Sequence, residues 1–169
     1  MIRNDRVIWA SCMVSCGDAD GAVTGNTRKY ATSLEKINKV IDARPGEIMF
    51  GLNMVVNKGK TVFIGDTSVH EHPTSEQLAE IAISSARVVR LFGFDPKVAF
   101  VSHSTFGQPA TNSTKHIRDA VEILQDKKVD FQFDGDMQPD VALDEEYKQL
   151  YPFSGIVGNA NILIMPGQH

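Results

Sequence analysis

The sequence has few cysteines, no long hydrophobic run and no excess of basic residues. Two cysteines in 169 residues cannot form a disulfide framework, and they indicate free thiols in a reducing compartment. No apolar segment approaches the roughly 20 residues that a membrane-spanning helix needs. Seventeen Lys and Arg against 21 Asp and Glu give a formal charge of −4, which offers no basic footprint for nucleic acid or an anionic membrane. We therefore expect a cytoplasmic protein that binds neither nucleic acid nor membrane.

The sequence also lacks the common fingerprints of nucleotide and metal binding. The glycine-rich residues 17–25 have neither the G-x-G-x-x-G order nor the Lys-Ser/Thr end of a P-loop, so a helix stop with close backbone packing is an alternative to a ligand loop. His70 and His72 have no third metal ligand at a suggestive spacing. Residues 134–140 carry a proline where a calcium loop needs glycine. We expect no metal site, and a turn at Asp134 that presents hydrogen-bond acceptors.

Apolar residues follow helical spacing in some segments and form short strand-like runs in others. The helical spacing predicts helices over residues 5–15, 32–43, 74–92 and 113–127. The short runs predict a hairpin over residues 48–56 and 61–64, and strands over residues 98–101, 129–133 and 162–165. Alternating strands and helices with one hairpin predict an α/β fold, layered α/β/α around a mixed, mostly parallel sheet.

The organisation of the chain indicates a single domain, of which residues 1–169 form only a part. No repeat, low-complexity tract or linker divides residues 1–169. The last predicted strand ends four residues before His169, whereas a strand of a doubly wound sheet is normally followed by a covering helix. We therefore expect an incomplete domain.

Hydroxyl-bearing residues next to a predicted helix start indicate an anion site. Residues 102–107 have the sequence Ser-His-Ser-Thr-Phe-Gly, and Lys115 and Arg118 fall in the first turns of the following helix. Free backbone N–H groups and the positive end of the helix dipole can join these side chains around a phosphate or sulfate. An ordinary serine-rich loop with an Asn or Ser cap is the alternative, and the sequence alone leaves both open. Thr27 and Arg28 add donors after the glycine-rich segment.

Taken in order, five segments resemble the phosphotransacetylase (phosphate acetyl/butyryltransferase) family along nearly the whole chain. They are residues 17–25, 72–74, 102–107, 129–138 and 159–166. The resemblance implies a layered fold like that of isocitrate and isopropylmalate dehydrogenases. Because the family pattern continues past both termini, it also implies a domain truncated at both ends.

Three details resemble one branch of this family, the phosphotransacetylase-like domain of hybrid NADP-dependent malic enzymes. They are residues 24–28, 106–109 and 151–153. Departures from the active acyltransferases accompany them. Phe106 stands where those enzymes tend to have lysine, Thr27 lies in a neighbourhood that often holds a cysteine, and the family's segment with its catalytic arginine would lie beyond His169. The resemblance therefore implies no catalytic residue in this chain.

In hybrid malic enzymes this domain is regarded as regulatory. The resemblance therefore implies a domain that senses acetyl-CoA, forms a homodimer or a higher homo-oligomer, and holds no cofactor itself. NADP and a divalent metal, which serve the decarboxylation of malate to pyruvate and CO₂, would belong to a catalytic part outside this chain. A phosphate acetyltransferase and a dimerisation module without ligand are the alternatives. The residues expected to bind acetyl-CoA or acetyl phosphate are Thr27, Arg28, Ser102, Ser104, Thr105, Lys115, Arg118 and Asp134.

Overall fold

A computed structural model describes residues 4–108 and 114–167, which divide into two compact units. The first unit is Met1–Gly46 and the second is Glu47–His169. Compactness alone does not establish that a unit folds independently. The single domain expected over residues 1–169 therefore stays a prediction, and each unit is described by itself.

In the first unit, Asp5 begins helix α1 (Arg6–Ser15). The Asp5 Oδ1 atom accepts the backbone N–H of Val7 at 3.0 Å and that of Ile8 at 3.4 Å, which is the usual action of an N-cap. The helix stops at Gly17, whose φ of +80° suits a residue without Cβ. The helix predicted over residues 5–15 is confirmed.

Helix α2 (Tyr30–Ile37) is shorter than the helix predicted over residues 32–43. The backbone N–H groups of Val40 and Ile41 both turn back to the Ile37 carbonyl, and no regular helix follows. The predicted helix end is wrong because Val40 and Ile41 continue the apolar spacing of the helix. A β-branched pair after Asn38 nevertheless has low helix propensity. Residues 21–25 form no strand.

The second unit contains a five-stranded sheet in the order β1-β2-β5-β3-β4. Its first two strands form an antiparallel hairpin whose turn, Lys58 and Gly59, has positive φ at both residues, as a type I′ turn requires. The pairs β2–β5, β5–β3 and β3–β4 are parallel, so the mixed, mostly parallel sheet is confirmed. The strands are β1 (Leu52–Asn57), β2 (Lys60–Gly65), β3 (Lys97–Val101), β4 (Gln132–Met137) and β5 (Ile162–Ile164).

Helices cover both faces of this sheet and complete the expected α/β/α layers. Val98 and Phe100 of β3 pack with the long helices on one face, and Ala99 and Val101 pack with shorter segments on the other. The two short helices were not predicted, because neither is long enough to show a period. In the described residues, no helix is long and apolar enough to cross a bilayer. The helices of this unit are α3 (Ser75–Leu91), α4 (Lys115–Asp126), α5 (Pro139–Leu143) and α6 (Glu145–Lys148).

Strand β4 lies farther along the chain than the strand predicted over residues 129–133. It includes Asp134 and Asp136, and each carboxylate accepts a hydrogen bond, the first from the Gly155 N–H and the second from a serine hydroxyl. Between them, a Cβ on Gly135 would lie 2.7 Å from the Cβ of Phe100, so the close approach of β3 and β4 requires glycine there.

Replacing Thr74 with alanine should lower the free energy of unfolding by about 1 kcal/mol, the usual cost of a lost N-cap. The Thr74 hydroxyl accepts the Gln77 N–H at 3.3 Å, and the Gln77 side chain accepts the Thr74 N–H at 2.9 Å, so the two residues form a capping box. Thr74→Ser keeps the hydroxyl and should lose much less. Urea denaturation of the three proteins measures the difference, and equal losses would contradict a role for the hydroxyl.

Candidate functional site

A cavity of about 730 Å³ lies at the carboxyl ends of β3, β4 and β5 in the second unit. Ser102 follows β3, Pro139 follows β4, and Met165 follows β5. Ligands of open α/β sheets bind at this edge, where loops leave the strands and helices begin. The residues that line the cavity are His72, Pro73, Val101, Ser102, His103, Thr114, His116, Ile117, Pro139, Met165 and Pro166.

Three histidines provide much of the polar character of this cavity. His72 precedes α3, His103 lies in the loop after β3, and His116 lies in the first turn of α4. Among the described residues that line the cavity there is no lysine or arginine. An anionic group bound here would therefore interact with imidazoles and with the N-terminal end of α4.

No metal centre is formed by the residues that the structure describes. Groups of three or more His, Cys, Asp or Glu side chains suited to a metal ion are absent from residues 4–108 and 114–167. The Nε2 atom of His70 instead lies 2.8 Å from the backbone carbonyl oxygen of Met49. His70, which together with His72 was considered as a metal ligand, therefore contacts the protein backbone.

The buried carboxylate of Asp136 holds the loop after β3 in place. Its Oδ2 atom accepts the hydroxyl of Ser104, and its Oδ1 atom accepts the Gly107 N–H at 3.2 Å. The backbone carbonyl of Asp136 accepts the Phe106 N–H at 2.6 Å. The Nη1 atom of Arg118 lies 3.9 Å from Oδ1 and offsets part of the cost of burying the charge. Sequence reasoning selected Asp134 in this segment and missed Asp136.

Of the three predicted ligand residues in this loop, Ser102 reaches the cavity wall. Ser104 and Thr105 are buried, Ser104 completely. The Thr105 hydroxyl accepts the Gln138 N–H at 3.2 Å, which links the loop to the residue after β4. Ser104 and Thr105 thus shape the wall, and direct contact between them and a ligand stays a prediction.

The charged residues predicted as ligands of the second unit have different surroundings. Lys115 is exposed at the first residue of α4, outside the set that lines the cavity. Arg118 donates to the Thr114 hydroxyl at 2.9 Å, and Asp134 accepts the Gly155 N–H at 2.7 Å. Arg118 and Asp134 therefore have partners inside the protein, and a ligand role for these three residues stays a prediction.

Thr27 and Arg28 line a cavity of about 180 Å³ within the first unit. The Nη1 atom of Arg28 donates to Asp5 Oδ2 at 2.9 Å, and the ammonium of Lys36 donates to the same oxygen. These bonds, that of Lys36 above all, hold the pKa of Asp5 well below its ordinary value. Arg28 therefore already has a carboxylate partner, and its predicted role toward a ligand stays a prediction.

Asp66, directly after β2, is a second buried carboxylate that sequence reasoning did not select. Its Oδ1 atom accepts the N–H groups of Gly51 and Ser68 at 2.9 Å and of Val69 at 3.1 Å. Its Oδ2 atom accepts the His70 N–H at 2.9 Å. Four donors on one carboxylate fix the segment that leads from β2 to the cavity wall before α3.

Phe106 packs against two aromatic rings from a distant part of the chain. Its centroid lies 5.3 Å from that of Tyr151 and 4.9 Å from that of Phe153. The backbone of Phe106 has a φ of +49°, an uncommon value for a residue other than glycine. Two of the segments that resemble the malic enzyme branch are therefore in contact, and the loop carries a packed ring where the acyltransferases tend to have lysine.

Asp66→Asn should lower the free energy of unfolding by about 1–3 kcal/mol, because the amide places an NH₂ group where a buried N–H now finds an oxygen. Urea denaturation measures the loss. Asp126→Asn, at the exposed end of α4, is the matched control and should change stability little, since a negative charge at a helix C-terminus is not favourable. Equal effects of the two substitutions would contradict the role given to Asp66.

Two relatives and one solved structure show what this chain is similar to. It is 44% identical over 169 residues to the NADP-dependent malic enzyme of Rhizobium meliloti (strain 1021), with all of this chain and 22% of that protein covered. It is 33% identical over 164 residues to the phosphate acetyltransferase of Buchnera aphidicola subsp. Schizaphis graminum (strain Sg), with 96% of this chain and 23% of that protein covered. A phosphotransacetylase crystal structure from Streptococcus pyogenes matches with a TM-score of 0.83 at 29% identity, covering 95% of this chain and 50% of that one.

The chain thus spans less than a quarter of the length of the curated relatives that it matches. The family match itself extends over residues 1–168. Together with the layered fold and the cavity at the carboxyl edge of its sheet, this extent shows that the chain belongs to the phosphate acetyl/butaryl transferase family.

Proposed function

We propose that this chain is the regulatory, acetyl-CoA-sensing part of an NADP-dependent malic enzyme. The observation that carries the proposal is Phe106, whose ring is held by Tyr151 and Phe153 at the loop position where active phosphotransacetylases tend to have lysine. A cation at that position would stabilise the charge that develops during acyl transfer. An apolar ring there favours binding over turnover, and the 44% identity to a malic enzyme supports the same assignment.

The cavity in the second unit has the chemistry that acetyl-CoA requires. Val101, Ile117 and Met165 supply apolar walls for the acyl group and its pantetheine arm. His103 and His116, beside the N-terminal end of α4, supply the polar groups for phosphate oxygens. A volume of about 730 Å³ lies within the usual range for small-molecule sites.

Regulation requires that acetyl-CoA bind two states of the assembly with different affinities. In the proposal, the chain acts as a homodimer and transmits the difference to a catalytic part elsewhere in the parent protein. Oxidative decarboxylation of malate to pyruvate and CO₂ takes place in that part, with NADP and a divalent metal. The chain described here contributes the effector site.

Calorimetric titration of the chain with acetyl-CoA should show saturable binding. The double variant His103→Ala and His116→Ala should weaken this binding by about tenfold, because it removes two imidazole rings whose N–H groups can donate hydrogen bonds to phosphate oxygens. His70→Ala, outside the set that lines the cavity, is the matched control and should bind like the unmodified chain. Absence of binding would contradict the proposal, and equal affinity of all variants would contradict this cavity as the site.

A phosphate acetyltransferase is the second candidate, because the Buchnera enzyme of that name is 33% identical to this chain. Because Phe106 provides no cation at this position, the chain should not accelerate the formation of acetyl-CoA from acetyl phosphate and CoA. Thioester absorbance follows this reaction, and measurable turnover by the unmodified chain would favour the acetyltransferase. Phe106→Lys introduces a cation at this position and tests its contribution to turnover. Phe106→Leu is the control, because it removes the aromatic ring without adding a charge.

A further inference from the structure

Ser102, Ser104 and Asp136 form a continuous chain of hydrogen bonds from the cavity wall to a buried carboxylate. The Oγ atoms of Ser102 and Ser104 lie 3.3 Å apart, and the Ser104 hydroxyl donates to Asp136 Oδ2. The backbone N–H of Ser104 also donates to Ser102 Oγ at 3.1 Å. Ser104 and Asp136 are fully buried, whereas Ser102 lines the cavity. These hydrogen bonds therefore connect Ser102, which a ligand can contact, to Asp136, which is buried and out of a ligand's reach.

Asp136, at the buried end of this series of hydrogen bonds, sets the direction of each of them. A serine hydroxyl has one proton to donate, and a carboxylate can only accept. Ser104 gives its proton to Asp136, so in the contact between the two serine oxygens Ser104 accepts and Ser102 donates. Ser102 also accepts the Ser104 N–H, which leaves it one lone pair. Ser102 consequently presents a hydrogen-bond acceptor to the cavity.

This direction holds as long as Asp136 is negatively charged, because a protonated carboxyl group could donate to Ser104 instead. The other carboxylate oxygen has donors of its own. The Gly107 N–H donates to Oδ1 at 3.2 Å, and the Arg118 guanidinium lies 3.9 Å from the same oxygen. The neighbouring carboxylate of Asp134 has its own donors, the N–H groups of Gly155 and Gly135.

We propose that Asp136 is a positioning residue that acts through Ser104 to make Ser102 an acceptor, so that the cavity selects a ligand group which donates a hydrogen bond at this point. An amide N–H or a hydroxyl meets this requirement, and an ionised phosphate oxygen, which can only accept, does not. The inference rests on the proposed function and deepens it: the part of acetyl-CoA beside Ser102 is the amide-bearing pantetheine arm. It departs from the sequence-based expectation that the loop serines donate to an anion.

Asp136→Asn should invert the chain of hydrogen bonds. The Gly107 N–H still requires an acceptor, so the amide oxygen takes the place of Oδ1 and the NH₂ group faces Ser104. Ser104 then accepts from the amide and donates to Ser102. The Ser102 hydroxyl then no longer donates to Ser104, and it can donate a hydrogen bond toward the cavity.

Titrations of the whole chain with pantetheine and with sulfate, an anion that carries no proton and can only accept, test this inversion. In Asp136→Asn, pantetheine should bind about threefold to tenfold more weakly and sulfate more tightly by a similar factor, the range expected for one hydrogen bond. Ser104→Ala also leaves the Ser102 hydroxyl proton without a partner and should tighten sulfate binding. Asp140→Asn, exposed on α5, is the matched control and should change neither affinity.

Opposite shifts of the two affinities in Asp136→Asn, together with tighter sulfate binding by Ser104→Ala, which changes no charge, support the proposal. Equal weakening of both affinities overturns it, because a merely structural role would lower both, and unchanged sulfate binding by Ser104→Ala overturns it as well, because the effect of Asp136→Asn would then be the loss of a charge. If the unmodified chain does not bind acetyl-CoA, the proposed function fails. NMR of the ligand-free chain decides the inference separately, and also where neither small probe binds. The Ser102 hydroxyl proton should be protected from solvent exchange in the unmodified chain and lose that protection in Asp136→Asn. Equal exchange rates in the two proteins would overturn it.

Discussion

The short strand β5 joins the hairpin to the rest of the sheet. It lies between β2 and β3 and pairs with both in parallel. Ile162 and Ile164 pack into the core on one face and Leu163 into the core on the other, so three residues anchor both layers. The Met165 N–H donates to the Gly65 carbonyl at 2.7 Å and continues the pairing to the cavity edge. The cavity depends on β5, because this strand brings the carboxyl ends of its neighbours to one edge.

Elements whose signals are local could be predicted from the sequence, and those that depend on distant partners could not. Helix α3 can be recognised from its apolar spacing and from the Thr74–Gln77 pair, whose members are close in the sequence. Strand β4 cannot be recognised in this way, because the hydrogen-bond donors to its carboxylates are distant in the sequence. Asp134 accepts from Gly155, 21 residues later, and Asp136 accepts from a serine 32 residues earlier. Without those partners in view, two aspartates argue against a buried strand.

The same distinction applies to the candidate site. The serine loop and the start of α4 follow one another closely, and their convergence at the cavity could be predicted. His72 and Met165 reach the same wall from before α3 and after β5, and nothing local links them to it. Asp66 was missed for a similar reason, although a lone aspartate after an apolar strand and before a run of Thr and Ser is a signal for a carboxylate that collects backbone N–H groups.

Buried carboxylates also constrain what the cavity edge can bind. Asp66 and Asp136 both lie at the carboxyl edge of the sheet, in a chain whose formal charge is −4. Their donors satisfy both of them, and the charge of Asp136, which is linked to Ser102 through Ser104, disfavours a second anion beside Ser102. Phosphate is better placed near His116 and the N-terminal end of α4. Electrostatics and hydrogen-bond direction therefore both favour a ligand that joins a neutral donating arm to an anionic end, which the proposed effector acetyl-CoA has and inorganic phosphate lacks.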